Sequence, residues 1–264
     1  MNNNNKYTVK FFHDSMPEWK RKKDPFVLRY FIRPISFAGA SLCARLGISA
    51  NTVSYLSCIV AVLIFCFFIP NVHWCHILAG VLVNIWIVMD CIDGNLARGV
   101  KKQPFGDFAD GIAGYFLLSF ICLGMSWAVY CEGGVYFTAG NPIIIMIGAL
   151  ASIMDPLMRL IYQKYLHNQL ILEEKGIMPK EADIMKDHNQ VGNWKIRLIM
   201  VSGVSGILPM LILLCAIFKV LDIAVIYCFL INMAQFAYSA YSYIGKAIKN
   251  ARIYQAAMDE KFKE

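Results

Sequence analysis

Four aspartates lie close together in a strongly apolar part of the sequence: Asp90, Asp93, Asp107 and Asp110. The members of each pair are three residues apart, so each pair shares one face of a helix. A charge inside a membrane helix costs about 2.5–3.5 kcal/mol, and four carboxylates repel one another unless a positive group lies among them. Carboxylates without His or Cys at matching spacing suit Mg²⁺ or Mn²⁺ rather than zinc. The pattern predicts a divalent-metal site, which suits a diphosphate substrate.

The residues between the aspartates allow two interpretations. Arg98 and the nearby lysines could pair with the carboxylates in a purely structural role, but one arginine neutralises one aspartate and not three or four. Gly94 follows Asp93 directly and Gly106 precedes Asp107. Glycine lets another group approach a helix backbone closely. Two glycines beside the acids favour room for a bound ligand.

The aspartates belong to two of six apolar stretches of about 20 residues, the length that a membrane-spanning helix needs. Hydrophobic residues make up 58% of the chain and charged residues 16%, against about 45–50% and 25% in soluble domains. The sequence therefore predicts an all-α, polytopic integral membrane protein with six transmembrane helices. The predicted spans are 51–70, 76–98, 105–131, 142–165, 195–218 and 221–246. A short connection between the second and third spans predicts a hairpin that brings both aspartate pairs together.

Basic residues fall almost entirely on one side of these spans. Of the 25 lysines and arginines, only Lys219 lies on the other side. By the positive-inside rule, both termini and the aspartate cluster are predicted to be cytoplasmic. Because these loops account for the net charge of +7, we expect membrane lipids and no nucleic acid as partners.

Three regions follow from this organisation. Residues 1–47 form a predicted cytoplasmic segment in which apolar and basic residues alternate at near-helical spacing over 16–47, typical of an amphipathic helix on the membrane surface. An ordinary juxtamembrane tail is the alternative. Residues 48–247 form the predicted six-helix catalytic domain, and 248–264 a cytoplasmic tail.

The segment from Asp90 to Gly114 resembles the signature of the CDP-alcohol phosphotransferase (CDP-alcohol phosphatidyltransferase) family, D-x2-D-G-x2-A-R followed by G-x3-D-x3-D. Here it reads DCIDGNLAR and then GDFADGIAG, with an interval one residue shorter than usual. The resemblance implies a homodimeric transferase. Such an enzyme moves a substituted phosphate from a CDP-linked donor to an acceptor alcohol and releases CMP, with Mg²⁺ or Mn²⁺, as two ions, as cofactor. The resemblance implies that the enzyme acts in lipid metabolism, in phospholipid biosynthesis, or in the synthesis of glycopolymer precursors.

The resemblance also assigns roles by position. It implies metal binding by Asp90, Asp93 and Asp110. It implies nucleotide binding by five residues of the motif: Asp93, Gly94, Ala97, Arg98 and Gly106. The family's fourth aspartate, a metal ligand and base for the acceptor hydroxyl, falls on Gly114.

Two acids are candidates for the missing role. Asp107 lies about two helical turns from Gly114, too far to occupy its place but near enough to act as a further metal ligand. Asp155 in the fourth span could be the catalytic acid instead, although an i, i+4 ion pair with Arg159 would also explain it. Arg159 and other basic residues of the following loop could bind an acceptor phosphate, but positive-inside topology alone predicts basic residues there.

Two further functions stay open. A catalytically altered homologue could bind the nucleotide without ordinary transfer, because the family base is missing. A cation-coupled transporter would also contain acids within the membrane. Transporters place such acids near mid-membrane, whereas these cluster at one end of the helices, so the transporter is the weaker alternative.

Overall fold

The computed structural model describes residues 6–178 and 201–261, and that part of the chain is all-helical. A short N-terminal series precedes the long helices: α1 (Val9–Asp14), α2 (Glu18–Lys23), a π-helical turn (Leu28–Ile32) and α3 (Arg33–Arg45). The long helices are α4 (Ala50–Phe68), α5 (His73–Gly99), α6 (Gly106–Glu132) and α7 (Ile143–Glu174). They are followed by α8 (Leu208–Ile217) and α9 (Leu221–Lys261).

Five of these helices are long and apolar enough to cross a membrane: α4, α5, α6, α7 and the Leu221–Gln255 part of α9. By length and composition they correspond to five of the six predicted spans, and they indicate an integral membrane protein. The remaining prediction, 195–218, lies partly outside the described residues. From residue 201 the chain turns through 203–207 before α8, whose 10 residues are too few to span a bilayer. A sixth span therefore stays a prediction.

The N-terminal segment is divided into short helices, whereas the sequence predicted an amphipathic helix over residues 16–47. The break follows α2 at Asp24 and Pro25, because proline lacks the N–H that a continuing helix needs. Asp24 then binds Arg33 through two hydrogen bonds of 2.7 and 3.2 Å, and both side chains are buried. One face packs onto α5 through Phe12, while large apolar side chains remain exposed on the other; these include Phe26, Tyr30, Phe31 and Ile35. Its location on the membrane surface stays a prediction.

Helix α4 organises the end of the bundle that carries the aspartates. It packs along both α5 and α6, which contact each other little. The predicted α5–α6 hairpin is therefore held together mainly through a third helix. α7 and α9 pack against each other and against α6, and α8 packs against α5. This arrangement leaves space around the acidic ends of α5 and α6.

Close packing between α6 and α7 supports the first testable prediction. A Cβ atom on Gly148 would overlap the Ser126 side chain and lie 2.8 Å from the carbonyl oxygen of Cys122. Because a backbone oxygen cannot move aside easily, Gly148→Ala should lower the free energy of unfolding by about 1–3 kcal/mol. The thermal unfolding midpoint in detergent measures this loss. Gly245→Ala is the control, since nothing lies within 4 Å of its Cβ position; equal midpoints for both variants would contradict the packing.

Candidate active site

The aspartates of α5 and α6 meet at one end of the bundle. Asp93 is 6% exposed, and its Oδ2 atom accepts a hydrogen bond of 2.6 Å from the Ser54 hydroxyl on α4. The carboxyl groups of Asp90 on α5 and Asp110 on α6 lie close enough to interact with each other. Two carboxylates this close repel each other unless a proton or a cation lies between them. The structure thus places the three acids predicted to bind metal at the same end of the bundle, with Asp90 and Asp93 lining different cavities.

Two cavities adjoin this cluster. The first, the α4–α6 cavity, has a volume of about 270 Å³. Its lining includes every residue predicted to bind nucleotide, namely Asp93, Gly94, Ala97, Arg98 and Gly106, together with Asp107, Asp110 and α4 residues. The second, the central cavity, has a volume of about 320 Å³ between α5, α6, α7 and α9. Asp90 lines only the central cavity, whereas Asp110 lines both. Asp110 therefore stands where the two cavities adjoin.

The two candidates for the missing acid, Asp107 and Asp155, lie in different surroundings. Asp107 lines the α4–α6 cavity, but its side chain is 94% exposed and lies 3.8 Å from the Lys102 ammonium. Asp155 lines the central cavity together with Gly114, and its side chain is 7% exposed. A Cβ on Gly114 would meet no atom within 4 Å. Asp155 is thus the candidate that shares a cavity with the position of the missing aspartate.

Asp155 also forms the ion pair that its spacing predicted. The Arg159 Nε atom donates to Asp155 Oδ2 at 2.7 Å, and the guanidinium lies 5.7 Å from the Tyr115 ring centre. This contact uses one of the two carboxylate oxygens and one of the five guanidinium N–H groups. Arg159 also lies close enough to Asp110 for their charges to interact. The pair can therefore offer an acceptor oxygen and cationic donors to the same cavity.

Cations from the N-terminal segment reach the acidic cluster. Lys20 on α2 is half-buried and interacts electrostatically with Asp90 and Asp110. Burial lowers the pKa of Lys20 from 10.5 to about 8, with smaller contributions from Arg98 and Arg33. Residues far from the acids in sequence thus help to neutralise them.

Arg98 is held against the site by its own helix. It donates to Asn95 Oδ1 at 3.0 Å, and a Cβ on Gly94 would stand 3.1 Å from a terminal guanidinium nitrogen. Asn95 in turn donates to the Ser36 hydroxyl on α3 at 3.1 Å. Gly94 therefore makes room for the Arg98 side chain as well as for the adjoining cavity.

Sequence reasoning missed the contribution of α4. Ser54 binds Asp93, and Asn51 lines the α4–α6 cavity and contacts the α5–α6 connection. The two residues are three positions apart at the start of an apolar span. Polar residues on one face of a membrane helix are a signal that could have identified them.

The donor set fits a hard divalent cation in its chemistry. Every candidate ligand is a carboxylate oxygen, as Mg²⁺ and Mn²⁺ prefer, and the proximity of Asp90 and Asp110 calls for a positive charge. Across residues 6–178 and 201–261, however, no three carboxylate, imidazole or thiol groups converge closely enough to enclose an ion. Asp93 instead turns its Oδ2 atom toward Ser54.

The fold and the site define an integral membrane protein with a carboxylate-lined site at one end of its helices. Residues 48–171 match the family model CDP-alcohol phosphatidyltransferase. No curated protein matches the chain. The match confirms the resemblance in the sequence and supports a transferase acting on a CDP-alcohol in a generally metal-dependent family. The matched residues include Asp90, Asp93, Asp107, Asp110 and Asp155.

Proposed function

We propose that this protein transfers a substituted phosphate group from a CDP-alcohol to an acceptor alcohol and releases CMP. The observation that carries the proposal is the position of Asp110 between two cavities. One cavity is lined by the nucleotide-binding residues of the family motif, and the other by Asp90, Gly114 and the Asp155–Arg159 pair. The donor diphosphate would extend from the α4–α6 cavity toward Asp110, and the acceptor would occupy the central cavity.

The bond changes follow from this arrangement. The acceptor hydroxyl oxygen forms a bond to the phosphorus that carries the donor alcohol, and the phosphoanhydride bond to CMP breaks. The bridging oxygen leaves with CMP, and the hydroxyl proton passes to a carboxylate of the central cavity. A divalent cation held by Asp90, Asp93 and Asp110 would supply charge neutralisation at the diphosphate.

Asp155 is the carboxylate that we assign to the acceptor. Its Oδ2 atom is taken by Arg159, so Oδ1 remains to accept the hydrogen bond of the hydroxyl and then its proton. The unused N–H groups of Arg159 can hold an anionic part of the acceptor. Asp107, exposed beside Lys102, is left at the rim of the α4–α6 cavity.

The assay for this function measures CMP. Purified protein would be incubated with a panel of CDP-alcohols, Mg²⁺ or Mn²⁺ and a lipid extract as the source of acceptors. Release of CMP that requires both the divalent metal and an acceptor supports the proposal. Absence of release with every donor would contradict it. Phospholipid and glycopolymer-precursor pathways, cytoplasmic orientation of the site, and a homodimer remain predictions that this assay does not address.

A second candidate function is favoured by the glycine at position 114, where the family has an aspartate. In this alternative, the protein is a homologue that binds a CDP-alcohol but transfers the phosphate group poorly. The two alternatives differ in the expected effect of restoring the family residue. Because the Cβ position of Gly114 is open, Gly114→Asp should fold normally and place an acid in the central cavity. If transfer is limited by a missing base, the rate of CMP release should rise about 10-fold or more, within the range of general base catalysis.

Gly111→Asp is the matched control for that substitution. Gly111 lines the same cavity and its Cβ position is equally open, so the variant adds the same charge at a position where the family has none. An equal response to both substitutions would show that added charge, rather than the restored base, causes the change. An unchanged rate in Gly114→Asp together with a fast wild type would instead support Asp155 as a working replacement.

A further inference from the structure

Lys20 lies on α2, in a part of the chain that precedes the family-matched residues 48–171. The chain just before α2 is anchored on α5, because Phe12 and Met16 are buried in one cluster with Ile92. Ile92 is the residue before one of the candidate metal ligands. The beginning of α2 is therefore held beside the part of α5 that carries the acids.

The end of α2 is fixed by the Asp24–Arg33 pair, whose two hydrogen bonds measure 2.7 and 3.2 Å. Lys20 lies four residues before Asp24, about one helical turn from this anchor. Its side chain is half-buried, whereas that of Lys22 on the same helix is 71% exposed. Of these two lysines, Lys20 is the one whose side chain packs against the protein.

The Lys20 ammonium adds positive charge beside both cavities. It is near enough to interact with Asp90 and Asp110, which line the central cavity. It is also near enough to be repelled by Arg98, which lines the α4–α6 cavity. Within the part of the chain that the structure describes, Lys20 forms no ion pair. An anion that entered between Lys20 and Arg98 would relieve their repulsion.

We propose that Lys20 and Arg98 bind the diphosphate of the CDP-alcohol between them. The inference rests on the proposed function, which extends the diphosphate from the α4–α6 cavity toward Asp110. Without the donor, the Lys20 charge weakens the attraction of Asp90 and Asp110 for a divalent cation, because it repels one. With the donor present, the ammonium is held by phosphate oxygens through charge-assisted hydrogen bonds. Lys20 therefore opposes binding of metal alone and favours binding of the nucleotide.

Two binding constants of one variant test this role. Purified wild type and Lys20→Met in detergent would be titrated with Mn²⁺ alone, followed by electron paramagnetic resonance, and then calorimetrically with CDP at saturating Mn²⁺. We expect Lys20→Met to bind Mn²⁺ about 3-fold or more tightly than wild type. It should bind CDP about 10-fold or more weakly, as for loss of a hydrogen bond to a charged group. General damage to the fold would weaken both.

Two further variants isolate the charge at position 20. Lys20→Arg keeps the positive charge, so both constants should stay within about threefold of wild type. Lys22→Met is the matched control, because it removes the same charge from an exposed position of the same helix. It should change neither constant.

The outcomes distinguish this inference from the function on which it rests. If wild type does not bind CDP in the presence of Mn²⁺, both fail. If wild type binds CDP and Lys20→Met binds it equally well, only the role of Lys20 is overturned, even if Mn²⁺ binding becomes tighter. Weaker binding of both Mn²⁺ and CDP by Lys20→Met would overturn it as well, since the two constants would no longer move in opposite directions.

Discussion

Asp110→Asn is expected to reduce the rate of CMP release by at least about 10³-fold, since interactions that stabilise charge during phosphoryl transfer supply several kcal/mol. Asp110 is the acid that lines both cavities, and it lies close enough to interact with Asp90. Asparagine keeps the shape of the side chain but removes the negative charge that would hold a cation between donor and acceptor. The measurement is the initial rate of CMP release at saturating donor and Mg²⁺.

Asp259→Asn provides the isosteric control for that loss. Asp259 is exposed near the end of α9, where it accepts a hydrogen bond from Gln255, and it lines neither cavity. The same chemical change there should leave the rate within about twofold of wild type, as is usual for exposed polar contacts. A rate near wild type in Asp110→Asn would contradict the assignment of the site.

The second large effect concerns the acid that activates the acceptor. Asp155→Asn should lower the rate of CMP release about 10²–10⁴-fold, the contribution of a positioned base. Asp107→Asn should lower it less than about 10-fold, because its exposed carboxylate is screened by solvent and by Lys102. Because Asp155→Asn also removes the ion pair with Arg159, it could lower stability. The thermal unfolding midpoints of both variants must therefore be measured together with the rates.

The comparison with Arg159 separates catalysis from structure at Asp155. If the ion pair matters only for stability, Arg159→Met should lower the unfolding midpoint as much as Asp155→Asn does and reduce the rate in parallel. If Asp155 takes the proton, Asp155→Asn should lose far more activity than Arg159→Met at equal stability and at saturating acceptor, where weaker acceptor binding by Arg159→Met no longer limits the rate. A larger loss in Asp107→Asn than in Asp155→Asn would reverse the assignment.

The long helices and the acidic cluster could be predicted from the sequence because both depend on local pattern. Apolar length marks α4 to α7 and α9. The spacing of Asp90 and Asp93 places them on one face of α5, and a short connection brings Asp110 of α6 near them in sequence. The short helix α8 was predicted as part of a full span, because hydropathy averages over the turn at 203–207 that precedes it.

The surroundings of Asp107, Asp155 and Asn51 depend on tertiary contacts that spacing does not reveal. Asp107 and Asp110 share a helix face, yet of these two only Asp110 lines both cavities, whereas the Asp107 side chain is 94% exposed. Asp155 lines the same cavity as Gly114 because α7 packs on α6. The bond between Asn51 and Pro104 likewise joins residues that are more than fifty positions apart along the chain.

The most direct test of the account follows the donor alcohol rather than CMP alone. Wild-type protein would be given a CDP-alcohol labelled in the alcohol, Mg²⁺ and an acceptor lipid extract, beside Asp93→Asn under the same conditions. We predict that wild type forms a labelled phosphate ester of the acceptor in equal yield to CMP and that Asp93→Asn forms neither. CMP release without a labelled ester, or equal product from Asp93→Asn, would contradict transfer at this site.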